Sequence, residues 1–226
     1  ILPLLCDTSI AHESMPGCLL PKERFCQAGD AERHVTAALD YFEGLFGKRP
    51  SGMWPSEGSV SPEALEIISG AGVQWAATDE AVLASTLKSW DRDRDLYRPW
   101  EAHGLTMFFR DHFLSDRIGF VYSRNPAATA VADFIGRLKA IAGNSSARHV
   151  SVILDGENPW EYFPNSGEEF LEKLYAGIIA EKKLRPVTFT DYLAEKPSSG
   201  TIERVFPASW INGNFDTWMG DEEEAI

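Results

Sequence analysis

Apolar positions along the chain alternate between two spacings. Over 29–46, Val35, Ala38, Leu39, Phe42, Leu45 and Phe46 recur every three or four residues, as on one face of a helix. Asp30 is suited to cap its start, and Gly47 followed by Pro50 ends it. Ser61-Pro62-Glu63 opens a second helix over 61–69, with serine as cap and proline in the first turn. Two further helices are predicted over 126–142 and over 166–183, the latter with Phe170, Leu171, Leu174, Tyr175 and Ile178 on one face. Between them stand short apolar or β-branched runs that predict strands at 52–54, 73–78, 105–109, 150–154 and 186–189.

Strands alternating with helices, the strands apolar throughout, predict an α/β fold with a parallel sheet covered by helices. Periodicity does not separate an open sheet from a barrel. The charged stretch 88–99, with Asp91-Arg92-Asp93-Arg94-Asp95, is expected as a solvated loop, and 143–146 as another. Residues 196–200 resemble a linker, and the tail from Thr201 has weak periodicity. The expected division is therefore 1–196 as the main domain and 197–226 as linker and the start of a C-terminal region.

The chain has 226 residues, 44% hydrophobic and 24% charged, enough to bury a core without covalent staples. Its net charge of −13 disfavours nucleic acid and anionic membrane surfaces, which need positive potential. No run approaches the ~20 apolar residues that span a bilayer. The start at Ile1 shows no export signal. Cys6, Cys18 and Cys26 form no CxxC pair, an arrangement that favours free thiols and a cytoplasmic setting, with secretion left open. The five histidines show no metal-ligand spacing, and there is no glycine-rich phosphate loop.

In parallel α/β proteins, chemistry sits where strands end. Three predicted strand ends carry polar groups beside aromatics: Trp54-Pro55-Ser56-Glu57-Gly58, Arg110-Asp111-His112, and Asp155-Gly156-Glu157-Asn158-Pro159-Trp160-Glu161. Paired carboxylates can cleave a glycosidic bond, one protonating the leaving oxygen and the other attacking the anomeric carbon. Aromatic faces stack on sugar rings. Each residue also has an ordinary reading. Glu57 stands near a helix start, where the dipole favours an acid, and Asp155-Gly156 is a turn sequence. Asp111 could pair with an arginine, and the tryptophans could pack in the core or dock the tail.

The motifs themselves resemble glycoside hydrolase family 57, the group of amylopullulanases, α-amylases, glucanotransferases and branching enzymes. Gly52-Met53-Trp54-Pro55-Ser56-Glu57-Gly58-Ser59-Val60-Ser61 is similar to the segment that carries that family's nucleophile, and Leu154-Asp155-Gly156-Glu157-Asn158-Pro159-Trp160-Glu161 to the segment with its acid/base. Ser209-Trp210-Ile211-Asn212-Gly213-Asn214-Phe215-Asp216-Thr217-Trp218 is similar to its later aromatic segment. Phe109-Arg110-Asp111-His112-Phe113-Leu114-Ser115-Asp116 resembles the amylopullulanase branch.

The resemblance implies an incomplete (β/α)7 barrel with a short irregular C-terminal extension. It implies a retaining mechanism on α-1,4- or α-1,6-linked glucan or maltooligosaccharide, with no organic cofactor and no catalytic metal. Glu57 maps to the nucleophile and Asp155 to the acid/base. Trp54, Arg110, Asp111, His112, Glu157, Trp160 and Trp210 are the expected substrate-binding residues. The family's first, histidine-bearing motif is absent, and 1–5 resembles the end of its second, so an N-terminally truncated barrel is expected. A glucan-binding piece without activity is the alternative. A polysaccharide deacetylase-like barrel would need a metal held by an Asp and two closely spaced His, which this sequence lacks.

Overall fold

The computed structural model describes residues 1–20, 22–144, 147–197 and 199–220. The strands are β1 (Gly52–Met53), β2 (Trp75–Asp79), β3 (Trp100–Ala102), β4 (Leu105–Arg110) and β5 (Gly200–Thr201). The helices are α1 (Leu2–Cys6), α2 (Ala11–Ser14), α3 (Ala28–Phe46), α4 (Pro62–Gly70), α5 (Glu80–Thr86), α6 (Arg92–Asp95), α7 (His112–Asp116), α8 (Ala127–Ala142), α9 (Glu168–Ala180), α10 (Phe189–Ala194) and α11 (Asp216–Met219).

One sheet of order β1-β2-β4-β3-β5 organises the chain. β1, β2 and β4 run parallel, β3 folds back antiparallel on β4, and β5 runs parallel to β3. This is the expected α/β class with a sheet parallel at its functional end. Its register sets Asp79 opposite Arg110. Because partners in a parallel ladder share a face, these two side chains project together from adjoining strand ends.

Alternate residues divide the sheet into two faces. Ala76, Leu105, Met107 and Phe109 join the main core with Val35, Leu39, Leu65 and Ile68 from α3 and α4. Ala77 and Phe108 face the other way, toward Trp54, Trp75, Ile153, Phe189, Tyr192 and Leu193. The predicted helix boundaries hold closely for α3, α4, α8 and α9. At α4, Ser61 Oγ accepts the Ala64 N–H at 3.2 Å, with Pro62 opening the helix. α3 begins at Ala28, which puts Asp30 inside its first turn rather than at the cap. The apolar stripe of α3 is buried only at Ala31, Val35 and Leu39, and Phe42, Leu45 and Phe46 are exposed.

Three expectations are corrected. The strand expected at 150–154 contracts to one parallel bridge, Ser151 to Arg110. The β3 hairpin occupies that edge of β4 as far as Met107, so only the tip of β4 is left for the incoming chain. The strand expected at 186–189 is absent because Thr188 caps α10: its Oγ1 accepts the Asp191 N–H at 3.1 Å and donates to Asp191 Oδ2 at 2.8 Å. Phe189 becomes helical instead, and its ring stacks on Phe108 at 4.3 Å. The stretch 88–99 is not a solvated loop. It forms α6, buries Asp95, Leu96, Tyr97 and Pro99, and sends Arg92 into the site described below.

The tail packs on the same core. Beyond residue 196, β5 extends the sheet, Ile202, Val205 and Ala208 enter the main core, and Ala208 bridges Val60. Ser145 and Ser146 of the expected loop, Ser198 of the expected linker and residues 221–226 lie outside the described residues. Among the described residues, no helix is long and apolar enough to cross a membrane.

His149 lies on the second face of the sheet, with its ring 5.2 Å from Phe108 and 5.4 Å from Tyr192. The residue as a whole is part-buried, but both ring nitrogens are sealed from water and neither has a hydrogen-bond partner. Burial pushes its pKa down from 6.5 to about 4. Between those values the unfolded chain binds the proton and the folded chain does not, so stability rises with pH. Its contribution is complete above about 6.5 and is lost as pH falls toward 4, an effect of about 3 kcal/mol. Urea titrations at pH 7, 5.5 and 4.5 are expected to show this decline, and His149→Phe to flatten it. An unchanged slope in the variant would assign acid sensitivity to other groups.

Candidate active site

The polar groups collect where the parallel strands end. After β1 the chain turns through Ser56–Gly58, and Glu57 adopts φ 56°, ψ 30°. This is left-handed backbone that a side-chain-bearing residue adopts at some cost. Gly58 follows at φ 55°, and a Cβ there would meet the Trp54 ring at 2.6 Å, so only glycine fits. Thr78 Oγ1, from β2, donates to the Gly58 carbonyl at 2.6 Å. The turn is thereby tied to the neighbouring strand and aims the Glu57 side chain.

Trp210 holds that side chain. Its indole Nε1–H donates to Glu57 Oε2 at 2.8 Å, and its backbone N–H donates to the Glu57 carbonyl at 3.1 Å. Trp54 meets the Trp210 ring edge-on at 5.2 Å. On another side of Trp210 stands Arg110, its guanidinium carbon 4.9 Å from the ring centroid.

Arg110 is almost wholly enclosed, its side chain 4% exposed, and each of its nitrogens is engaged. Nη1 donates to Asp79 Oδ2 at 3.0 Å, Nη2 to Asp116 Oδ1 at 2.5 Å, and Nε to the Ile153 carbonyl at 2.8 Å. Asp79 has no exposed side chain and also caps α5 through the Ala81 N–H. His112 is half exposed, with Nδ1 3.3 Å from Asp79 Oδ2 and Nε2 2.9 Å from Asp116 Oδ2.

Asp155 lies two residues past Ile153 and is part-buried. Its segment is pinned from three sides. Besides the Arg110 bond, the Asp111 N–H donates to the Ser151 carbonyl at 2.8 Å, and the Ile153 N–H donates to Ser115 Oγ at 3.1 Å. Glu157 is exposed on the loop beyond. Trp160 donates its indole N–H to the Gly156 carbonyl at 3.0 Å and lies 5.6 Å from Phe163, which closes that loop onto a cluster of Leu114, Phe134, Phe170 and Leu174 from α7, α8 and α9.

Asp111 points elsewhere. Oδ1 takes Arg92 Nη2 at 2.8 Å and the Leu114 N–H at 2.9 Å, and Oδ2 takes the Tyr97 hydroxyl at 3.0 Å. Burial, reinforced by the charge of Asp111, pushes the Tyr97 phenol up, so the hydroxyl remains a donor. Burial opposes the charge of Arg92, but Glu80 and Asp111 outweigh it and its pKa is raised. With 1% of its side chain exposed, Asp111 ties Arg92, Tyr97 and the start of α7 together.

The structure thus joins Glu57, Trp54, Trp210, Arg110 and His112 in one contact chain that reaches the Asp155 segment. Glu157 and Trp160 sit on the loop beyond Asp155, and Asp111 turns to Arg92 and Tyr97. Sequence reasoning missed Asp79, Glu80, Arg92 and Asp116. Asp79 and Glu80 directly follow a predicted strand, and Asp116 stands four residues beyond His112 on a helix, so the signals for these three were present.

The sequence profile described as glycosyl hydrolase family 57 matches residues 1–204. The chain belongs to that family. Among solved structures, it is similar to the 4-alpha-glucanotransferase of Thermococcus litoralis, at 22% identity and TM-score 0.66 over 81% of this chain and 28% of that one. The alpha-amylase AmyC of Thermotoga maritima matches at 14% identity and TM-score 0.68, over 80% of this chain and 47% of that one. The GH57-type branching enzyme of Pyrococcus horikoshii matches at 15% identity and TM-score 0.67, over 85% of this chain and 46% of that one. The family 57 chain described here therefore spans less than half the length of each, with their fold over that part. No curated protein matches it.

Proposed function

We propose that this family 57 chain carries the reaction centre of a retaining glycoside hydrolase or glucanotransferase. Its substrates are α-1,4- or α-1,6-linked glucans, of which maltooligosaccharides are the short form. Glu57, ionised, attacks the anomeric carbon and forms a glycosyl ester as the bond to the leaving oxygen breaks. Asp155, protonated, gives its proton to that oxygen. It then takes a proton from water, or from an acceptor sugar hydroxyl, as that oxygen displaces Glu57. Trp54 offers an aromatic surface beside the nucleophile, the exposed Glu157 is available to sugar hydroxyls, and the half-exposed His112 meets them by exchanging its contact with Asp116, which is itself a third exposed.

The single observation that carries this reading is one chain of contacts from the turn after β1 to the segment before Asp155. Glu57 is held by Trp210, Trp210 stacks on Arg110, and Arg110 bonds the backbone two residues before Asp155. The left-handed backbone at Glu57 adds support, since strain of this kind persists where surroundings enforce it. The free thiols of Cys6, Cys18 and Cys26 support a reducing, cytoplasmic setting.

The test is stereochemical. With maltoheptaose as substrate, ¹H NMR of the first product formed is expected to show the α-anomer before mutarotation. Initial β-product would overturn the double displacement. Calorimetric binding of maltoheptaose without any product would select the alternative of a glucan-binding chain without activity.

A further inference from the structure

We infer that Arg110 is a positioning residue that braces both arms of the reaction centre, and that it does not bind sugar. The inference rests on the roles proposed for Glu57 and Asp155 and adds what sets their separation. A sugar ligand needs a donor that the substrate can reach. Arg110 is 4% exposed, and its three nitrogens already serve Asp79, Asp116 and the Ile153 carbonyl. These acceptors come from three elements: the end of β2, α7 and the Asp155 segment. A planar fork can satisfy all three at once, whereas an ammonium group offers no such fixed directions.

The consequences run both ways from the guanidinium. Its central carbon lies 4.9 Å from the centroid of the Trp210 ring, and that ring's N–H holds Glu57 Oε2 at 2.8 Å. Its edge holds the Ile153 carbonyl, which fixes the backbone leading into Asp155. Losing the guanidinium frees the Trp210 ring to tilt and the Asp155 segment to slide. A displacement of about 1 Å in a reaction centre can lower turnover on the order of 10²-fold.

The experiment has one readout without sugar and one with it. Seven tryptophans give resolvable indole ¹H–¹⁵N signals, and Trp210→Phe identifies the Trp210 signal by its loss. In Arg110→Met that signal is expected to shift and to exchange with solvent about tenfold faster, as the bond to Glu57 weakens. With maltoheptaose and with α-maltosyl fluoride, kcat is expected to fall about 10²-fold while KM stays within about threefold. The fluoride leaves without needing a proton, so a loss on both substrates reports on Glu57 as well as Asp155.

Arg110→Lys keeps the charge beside Asp79 but cannot also reach Asp116 and Ile153, and it serves if the Met variant does not fold. The same indole shift is expected for it, with a smaller loss of kcat. A wild-type indole signal in either folded variant overturns the brace. So does a raised KM with kcat unchanged, the mark of a sugar ligand, or full wild-type behaviour of Arg110→Lys. A shifted indole signal in a protein whose wild type turns over no glucan would uphold the brace on Glu57 and reject the proposed reaction.

Discussion

Glu57→Gln is expected to leave a folded chain whose glucan cleavage falls by about 10³-fold or more, since the group proposed to form the covalent ester is gone. The substitution changes little else. Glutamine is isosteric, so its carbonyl oxygen can still accept the Trp210 indole N–H that Oε2 accepts at 2.8 Å. The left-handed turn is held by backbone contacts from Trp210 and by Thr78 on the Gly58 carbonyl, and none of these involves the Glu57 side chain. Thermal unfolding should therefore stay close to wild type, which separates a chemical loss from a structural one.

The complementary measurement uses Glu57→Ala. The space left by the side chain admits a small external nucleophile, so azide is expected to restore turnover of α-maltosyl fluoride and give the β-configured glycosyl azide. Asp155→Asn should behave differently. It should slow cleavage of maltoheptaose by about 10²- to 10⁴-fold, the usual contribution of a positioned acid, and spare the first step with the fluoride. Full activity in Glu57→Gln, or azide rescue confined to the Asp155 variant, would reverse or abolish the assignment.

Much of this site was legible in the sequence because it depends on local signals. The helices from 28 to 46 and 62 to 70 were readable because their caps and stops are short-range chemistry, such as Ser61 with Pro62 and Gly47. Trp75–Asp79 and Leu105–Arg110 were readable because continuous apolar runs fit strands buried on both faces. What the sequence could not show was competition between partners. Whether 150–154 became a strand depended on how much of one β4 edge the preceding hairpin occupied. Whether 186–189 did depended on Thr188 finding Asp191.

The candidate residues divide in the same way. Glu57 and Asp155 were visible because each follows an apolar run that the sequence predicts as a strand. Arg110 and Asp111 are adjacent and looked equivalent, yet their roles diverge. Successive side chains at a strand end point to opposite sides, so Arg110 meets Asp79 and Trp210 while Asp111 meets Arg92 and Tyr97. The charge run that holds Arg92 looked solvated because alternating signs usually are. Only the fold reveals that Glu80 and Asp111 stand ready to receive that arginine.

Asp79→Ala is expected to destabilise the chain by about 3–5 kcal/mol, the largest stability effect predicted here, because it strands a buried cation. Arg110 is 4% exposed and Asp79 fully enclosed, so neither can turn to water when its partner is removed. Asp116 remains, but at 33% exposed it shares its charge with solvent and with His112. The Ala81 N–H loses its cap acceptor as well, which adds about 1 kcal/mol. Arg110→Met should cost a similar amount by removing the buried cation that balances Asp79, which keeps only the Ala81 N–H and the half-exposed His112. The double variant is expected to be less destabilised than the sum of the two, since removing both charges together leaves neither member of the pair as a buried uncompensated charge. Urea unfolding of all four proteins at neutral pH completes the cycle. Single variants within about 1 kcal/mol of wild type, or strictly additive losses, would mean that water reaches this pair despite the burial of both side chains. The site would then lack the rigid floor on which the placement of Glu57 and Asp155 depends.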